Sequence, residues 1–349
     1  MVHLNERKII MADEKSKATL LKEEIFMKGS KGAATLNAEE IKKADDFCVG
    51  YKKFLDHSPV EREAVSYTLE LAKKAGFTEY DENASYNAGD KVYYVNRDKA
   101  IALAVIGKNG VKNGARLAIA HIDSPRIDLK PNPLYEDTNL ALFKTHYYGG
   151  LKKYQWTALP LSLHGTVVKL DGTKVNITWG DDENESCFCV TDLLPHLAKD
   201  QVSKPLAKVF TGEDLNVLVG SRPYEDGNDE KDLVKLNVMS ILNKKYGIVE
   251  GDFLSAELCL IPSFKARDIG FDASMIGGYG HDDKVCAYPA LMASLDVETP
   301  EQTCVTYLTD KEETGSDGNT GMQSDFLRYF IYCLLYTYNA ADDRISVDL

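Results

Sequence analysis

The chain has 349 residues, enough for a sizeable core and two domains, and its 44% apolar and 27% charged content is ordinary for a soluble globular protein. A net charge of -13 argues against nucleic acid or an anionic membrane as partner, since a phosphate surface demands a basic face. Seven cysteines are too few for a disulfide scaffold, no run approaches the roughly 18 apolar residues of a membrane span, and the N-terminus lacks a signal-peptide core, which points to the cytoplasm.

Met1 to Met11 fits poorly with the residues after it, and Met11 reads as a natural start. Lys15 to Lys28 is an amphipathic, charge-rich helix with Leu20, Leu21 and Ile25 on one side. Ala38 to Leu55 is a second, with Asn37 as cap and Glu39 and Glu40 in its first turn. A third runs from Val60 to Ala75 and ends at Gly76.

Strands come next at Lys91–Val95, Ala100–Ile106 and Arg116–Ile122, the last two joined through Asn109-Gly110 and Asn113-Gly114, which signal a hairpin. His121 and Asp123 close that last strand. Two apart, they face the same way, so Asp123 can fix the tautomer of a metal-binding His121 or assist it. The bland alternative is a partly buried structural histidine.

Between Leu159 and Ser255 the texture changes to short alternating strands, Leu163–Leu170, Lys174–Trp179 and Glu185–Val190, then a helix from Lys231 to Lys244. This reads as a β-rich insert used for subunit contact, after which strand Leu254–Ile261 returns to the first pattern. Cys187 and Cys189 share a strand face but lack a second cysteine pair, so incidental use outweighs metal binding.

Gly277-Gly278-Tyr279-Gly280 has no strand–helix fingerprint for a nucleotide, and its use is a close backbone approach that delivers Asp282 and Asp283. These stand at the start of a helix, Val285 to Leu295, where free N–H groups favour ionised carboxylates; one of the two can act simply as the cap. Finally, strand Thr303–Leu308 leads into Asp310-Lys311-Glu312-Glu313-Thr314-Gly315. A lone Glu pair reads as solvated surface. With His121 and Asp282 it supplies what a metal-assisted hydrolase needs, ligands plus a general base.

His121-Ile-Asp123-Ser124-Pro125-Arg126, Gly280-His281-Asp282-Asp283-Lys284 and Glu312-Glu313-Thr314-Gly315-Ser316 together resemble the M18 family of zinc aminopeptidases, the aspartyl aminopeptidase and aminopeptidase I group, in its bacterial form. Thr145-His-Tyr-Tyr-Gly-Gly150 and Lys152-Lys153-Tyr-Gln-Trp156 add to the likeness, which covers about residues 12 to 330. The resemblance implies an α/β fold, a phosphorylase/hydrolase-like mixed sheet with flanking helices. Residues 1–157 and 254–349 would form the catalytic domain and 158–253 an inserted β-rich dimerisation domain. It implies two Zn2+ ions per site (Co2+ or Mn2+ being alternatives) held by His121, Asp282 as bridge, and Glu313. Glu312 would be the general base, with Asp123 behind His121. The implied substrates are peptides, and the implied assembly is dimers building a dodecamer.

The family also needs an aspartate and a histidine farther downstream, but no histidine comes after His281, and from about Tyr332 the likeness fades. Asp348 is a weak candidate for the missing aspartate. The polypeptide by itself is therefore expected to be a poor catalyst, with an exposed apolar sheet edge. His196 is weighed as a histidine lent to a neighbouring subunit, against a buried structural one. Lys284, Arg126, Lys130 and Lys152 all compete to read an acidic substrate residue. The M42 type of cocatalytic peptidase and a catalytically silent assembly subunit are the other readings.

Overall fold

The structure is a computed structural model that describes residues 15–27, 29, 32, 35–225 and 230–337. Met11, His3, Lys28 and Asp348 lie outside the described residues. The chain divides into two units, residues 1–49 and 50–349. The first holds α1 (Lys17–Ile25) and the opening turns of α2 (Ala38–His57). Leu20, Leu21 and Ile25 are all exposed, so α1 shows no buried stripe. Asn37 caps α2 as expected: its Oδ1 accepts from the N–H groups of Glu39 and Glu40, while Glu40 accepts from the N–H of Asn37.

The second unit contains two principal sheets. The first is built from β1 (Thr78–Glu79), β2 (Lys91–Asn96), β3 (Ala100–Val105), β4 (Ala115–His121) and β14 (Thr303–Thr309), in the order β1-β2-β3-β14-β4. Every residue of β3 is buried. Its Ile101, Leu103 and Val105 enter a core with α3 (Glu61–Lys74) and α6 (His281–Asp296), while Ala100, Ala102 and Ala104 meet Tyr307 and α7 (Phe326–Thr337) on the other face. The continuous apolar run is thus a strand covered on both sides.

The hairpin expected between β3 and β4 does not form. β14 lies between them, antiparallel to β3 and parallel to β4. The Asn-Gly steps belong to a connection too long for a tight turn, and β14, itself almost wholly buried, needs a partner on both edges. β4 is left at the sheet edge, where Leu117 and Ile119 are exposed.

The second sheet joins β5 (Arg126–Asp137), β6 (Leu140–Tyr148), β7 (Leu161–Val168), β8 (Lys174–Trp179), β9 (Cys189–Val190), β10 (Val217–Gly220) and β11 (Ala256–Pro262), in the order β8-β7-β11-β5-β6-β10-β9. Its core packs against α5 (Leu233–Tyr246). This sheet draws on residues 126–262, so strands flanking the 158–253 span belong to it. β11 does not return to the first pattern: it pairs antiparallel with both β7 and β5, because its buried Leu258 and Leu260 complete that core. A short α4 (Lys199–Val202) and a ribbon of β12 (Arg267–Ile269) and β13 (Met275–Gly277) complete the elements. Among the described residues no helix is long and apolar enough to cross a membrane.

Candidate active site and metal centre

β4 and β14 run parallel, with His121 opposite Thr309, so both strands discharge at the same end of the sheet. Ligand sites gather where carboxyl ends of parallel strands diverge. From β4 come His121, Asp123 and Ser124; from β14 come Asp310 and then the two glutamates. Lys311 takes a left-handed conformation (φ 72°), which turns the chain into a 3-10 turn over Glu312–Thr314. The glutamates are therefore carried by a turn beyond the strand rather than by its frayed end.

Asp123 is the hub. Its carboxylate is fully buried and receives His121 Nδ1 at 3.2 Å, the Glu312 and Glu313 N–H groups at 3.2 Å each, and the Tyr148 hydroxyl at 2.7 Å. Burial alone raises a carboxyl pKa, yet these donors hold Asp123 below its usual range. Opposite, His121 Nε2 faces Asp282 Oδ1 at 3.2 Å and Glu312 Oε2 at 3.5 Å. Burial pulls the His121 pKa down, but the Asp123 hydrogen bond and the charges of Asp123, Asp283 and Glu312 prevail and push it up to about 9.

Asp282 arrives at the head of α6. Gly280 stands before α6 without a side-chain cap bond, and both Asp282 (φ -87°, ψ 110°) and Asp283 (φ -112°, ψ 25°) are non-helical, so the regular helix begins after the two aspartates, as the sequence suggests. Gly280 is needed for closeness: a Cβ there would lie 2.8 Å from Lys284 Nζ and 3.2 Å from Ser124 Oγ. Buried Lys284 donates to Ser124 Oγ at 2.8 Å, and Ser124 donates to the Asp282 carbonyl at 3.0 Å, tying β4 to α6. Glu313 stands beside Gly149 (φ 71°), whose Cβ would lie 2.9 Å from Glu313 Oε2. Burial, with the charges of Asp123 and Asp282, holds the Glu313 carboxyl above its usual range.

As the side chains stand, no three described His, Cys, Asp or Glu groups enclose a point at bonding distance. The donor set nevertheless suits a zinc ion: an imidazole nitrogen, oriented through its other nitrogen, faces carboxylates that repel one another. A cation held by these residues would relieve that repulsion and compete with a proton for His121 Nε2.

Tyr148, Ser124 and Asp310 lie in stretches that stand out in the sequence, but their own roles do not show there. Asp310 is buried and pushed up to about 6 by burial and the nearby Glu61 charge, with Thr320 Oγ1 donating to it at 2.9 Å. His196 is exposed, not buried, in an irregular stretch beside exposed Leu194 and Leu197. Of the candidate cations, Arg126 is spent on Glu61 and Asp128, Lys284 on Ser124, and Lys130 on Glu213, while Lys152 is exposed. Cys187 and Cys189 carry free thiols.

Residues 54–345 match the model of the aminopeptidase I zinc metalloprotease (M18) family. The chain belongs to the M18 family. The match runs past Tyr332, where the likeness was expected to fade. A probable M18 family aminopeptidase 1 of Clostridium acetobutylicum is 51% identical over 280 residues, covering 79% of this chain and 60% of that protein. One from Thermotoga maritima is 43% identical over 302 residues, covering 86% of this chain and 66% of its own length. The chain thus spans about 60–66% of the length of these relatives. The crystal structure of a Thermotoga maritima M18 aminopeptidase superposes with a TM-score of 0.84 at 41% identity, over 90% of this chain and 68% of that one.

Proposed function

We infer that this M18 chain carries the principal part of a zinc-dependent aminopeptidase site, which hydrolyses the N-terminal residue from peptides through a two-metal centre. The observation that carries this is His121, its Nδ1 tied to buried Asp123 and its Nε2 turned toward the Asp282 and Glu312 carboxylates. His121, Asp282 and Glu313 would hold metal, Asp282 as the bridge. Bound zinc supplies Lewis acidity for the scissile carbonyl and for water, and a docking point for the free amine.

The protein's own part comes from its residues. Asp123 holds His121 in the Nδ1–H tautomer, which leaves Nε2 as the donor atom. Glu312, half-exposed and close to His121, takes a proton from the attacking water and returns it to the leaving amine. Glu313, more enclosed beside Gly149, serves as ligand. Three protein ligands and one open position complete one four-coordinate zinc, so a second ion needs ligands beyond these three. Unpaired thiols at all seven cysteines favour a cytoplasmic setting. Exposed Leu193, Leu194, Leu197, Val202 and Leu206 favour self-association through the second-sheet region, with dimers as the unit of a dodecamer.

Zinc binding by equilibrium dialysis tests the assignment. His121→Ala and Glu313→Gln should each weaken binding at least about tenfold, whereas Glu312→Gln should keep zinc and lose any hydrolysis of aminoacyl-nitroanilides. Zinc binding untouched by His121→Ala overturns the reading. A folded oligomer with neither zinc nor turnover favours a silent assembly subunit.

A further inference from the structure

We propose that Tyr148 is a positioning residue for this centre: its hydroxyl fixes the Asp123 carboxylate, and through it the ring of His121 and the Glu312–Glu313 turn. The inference rests on the metal-centre reading of His121, Asp282 and Glu313. Of the four donors on Asp123, three belong to the groups being positioned, namely the His121 ring and the N–H groups of Glu312 and Glu313. The fourth is the Tyr148 hydroxyl, which donates to Oδ2 at 2.7 Å, and it comes from the second sheet.

The tyrosine is itself held rigidly. The Arg126 guanidinium lies 4.1 Å from its ring centroid, and the Lys311 ammonium is 5.3 Å from that centroid. Arg126 pairs across β5 and β6 with Tyr148 and is pinned by Glu61 and Asp128, each at 2.8 Å. The next residue, Gly149, leaves the space that the Glu313 side chain fills, since a Cβ there would lie 2.9 Å from Glu313 Oε2, so the end of β6 bears on both the orienting carboxylate and a candidate ligand. The second sheet thereby supplies a fixed reference for groups that leave the first sheet on short turns. A ligand held through a buried second partner loses roughly 10- to 100-fold in metal affinity when that partner goes.

Tyr148→Phe keeps the ring and both cation contacts and removes only the hydroxyl. Zinc affinity is measured by chelator competition in the full chain, in wild type, Tyr148→Phe, Asp123→Ala, the double variant and His121→Ala. Tyr148→Phe should weaken zinc about tenfold while Asp123 is present, and less than about twofold once Asp123 is alanine. Wild-type affinity in Tyr148→Phe, or an equal loss in both backgrounds, overturns the proposal; should the Asp123→Ala chains fail to fold, the single variant decides alone. If His121→Ala abolishes binding and Tyr148→Phe does not weaken it, the Tyr148 role fails and the metal centre stands. If His121→Ala has no effect, the centre itself is wrong.

Discussion

His164 gives the sharpest pH test, away from the metal centre. It is buried on β7, with Nδ1 bonded to Glu63 of α3 at 2.9 Å and Nε2 to Asp181 at 3.1 Å and Ser162 at 3.0 Å. Burial lowers its pKa, but the two carboxylates prevail and raise it from 6.5 to about 9. A raised folded pKa means the native state holds the proton more tightly, so its stabilisation is full below 6.5 and is lost as pH rises through 9. At about 1.4 kcal/mol per tenfold, the contribution is about 3 kcal/mol. Lys284 acts oppositely: burial depresses it to about 8, so stability from that group grows as pH rises above 8. It is common to both proteins in the comparison and cancels. Urea unfolding of wild type and His164→Gln at pH 6 and pH 9.5 isolates the histidine. The variant should be less stable by about 3 kcal/mol at pH 6, and the gap should shrink to about 1 kcal/mol at pH 9.5. A gap of equal size at both pH values refutes the argument.

Glu61 is buried and bonded to Arg126 at 2.8 Å and Lys99 at 3.2 Å, so Glu61→Gln should cost about 3 kcal/mol in urea unfolding by stranding buried cations. Gly165→Ala should abolish folding or cost more than about 3 kcal/mol, read by circular dichroism, because φ is 137° and a Cβ would lie 1.9 Å from the Glu257 carbonyl oxygen. Zinc at a hundredfold excess over its dissociation constant should stabilise the chain by about 2.7 kcal/mol in a thermal melt, with the increment removed by chelation and absent in His121→Ala.

What the sequence disclosed was local. Helix bounds at Asn37–Ala38 and near Gly76 came from capping chemistry, and His121, Asp282 and the Glu312–Glu313 pair stood out because metal and acid–base chemistry use few residue types. What it hid was set by partners far along the chain. The Asn-Gly steps after β3 carry a hairpin signal, but β14, some two hundred positions later, competes for that edge and wins by burying both of its own faces. β11 reads the same as a first-sheet strand, since an apolar run does not say which core it completes.

Tyr148 illustrates the same limit within the site. Nothing in Thr145-His-Tyr-Tyr marks Tyr148 over Tyr147, and strand alternation points to the wrong one: Ala141, Phe143 and Thr145 are the buried positions of β6, yet at its end Tyr147 is half-exposed and Tyr148 is buried. The choice between them was made by register. Arg126 opposite Tyr148 places a guanidinium over that ring and aims its hydroxyl at Asp123, whereas a one-residue slip would present Tyr147 instead. In the proposed centre the strand ends of the first sheet and the head of α6 bring the candidate ligands together. The register of the second determines how firmly they are held, which is why hydroxyl removal at position 148 should register in zinc affinity and not only in stability.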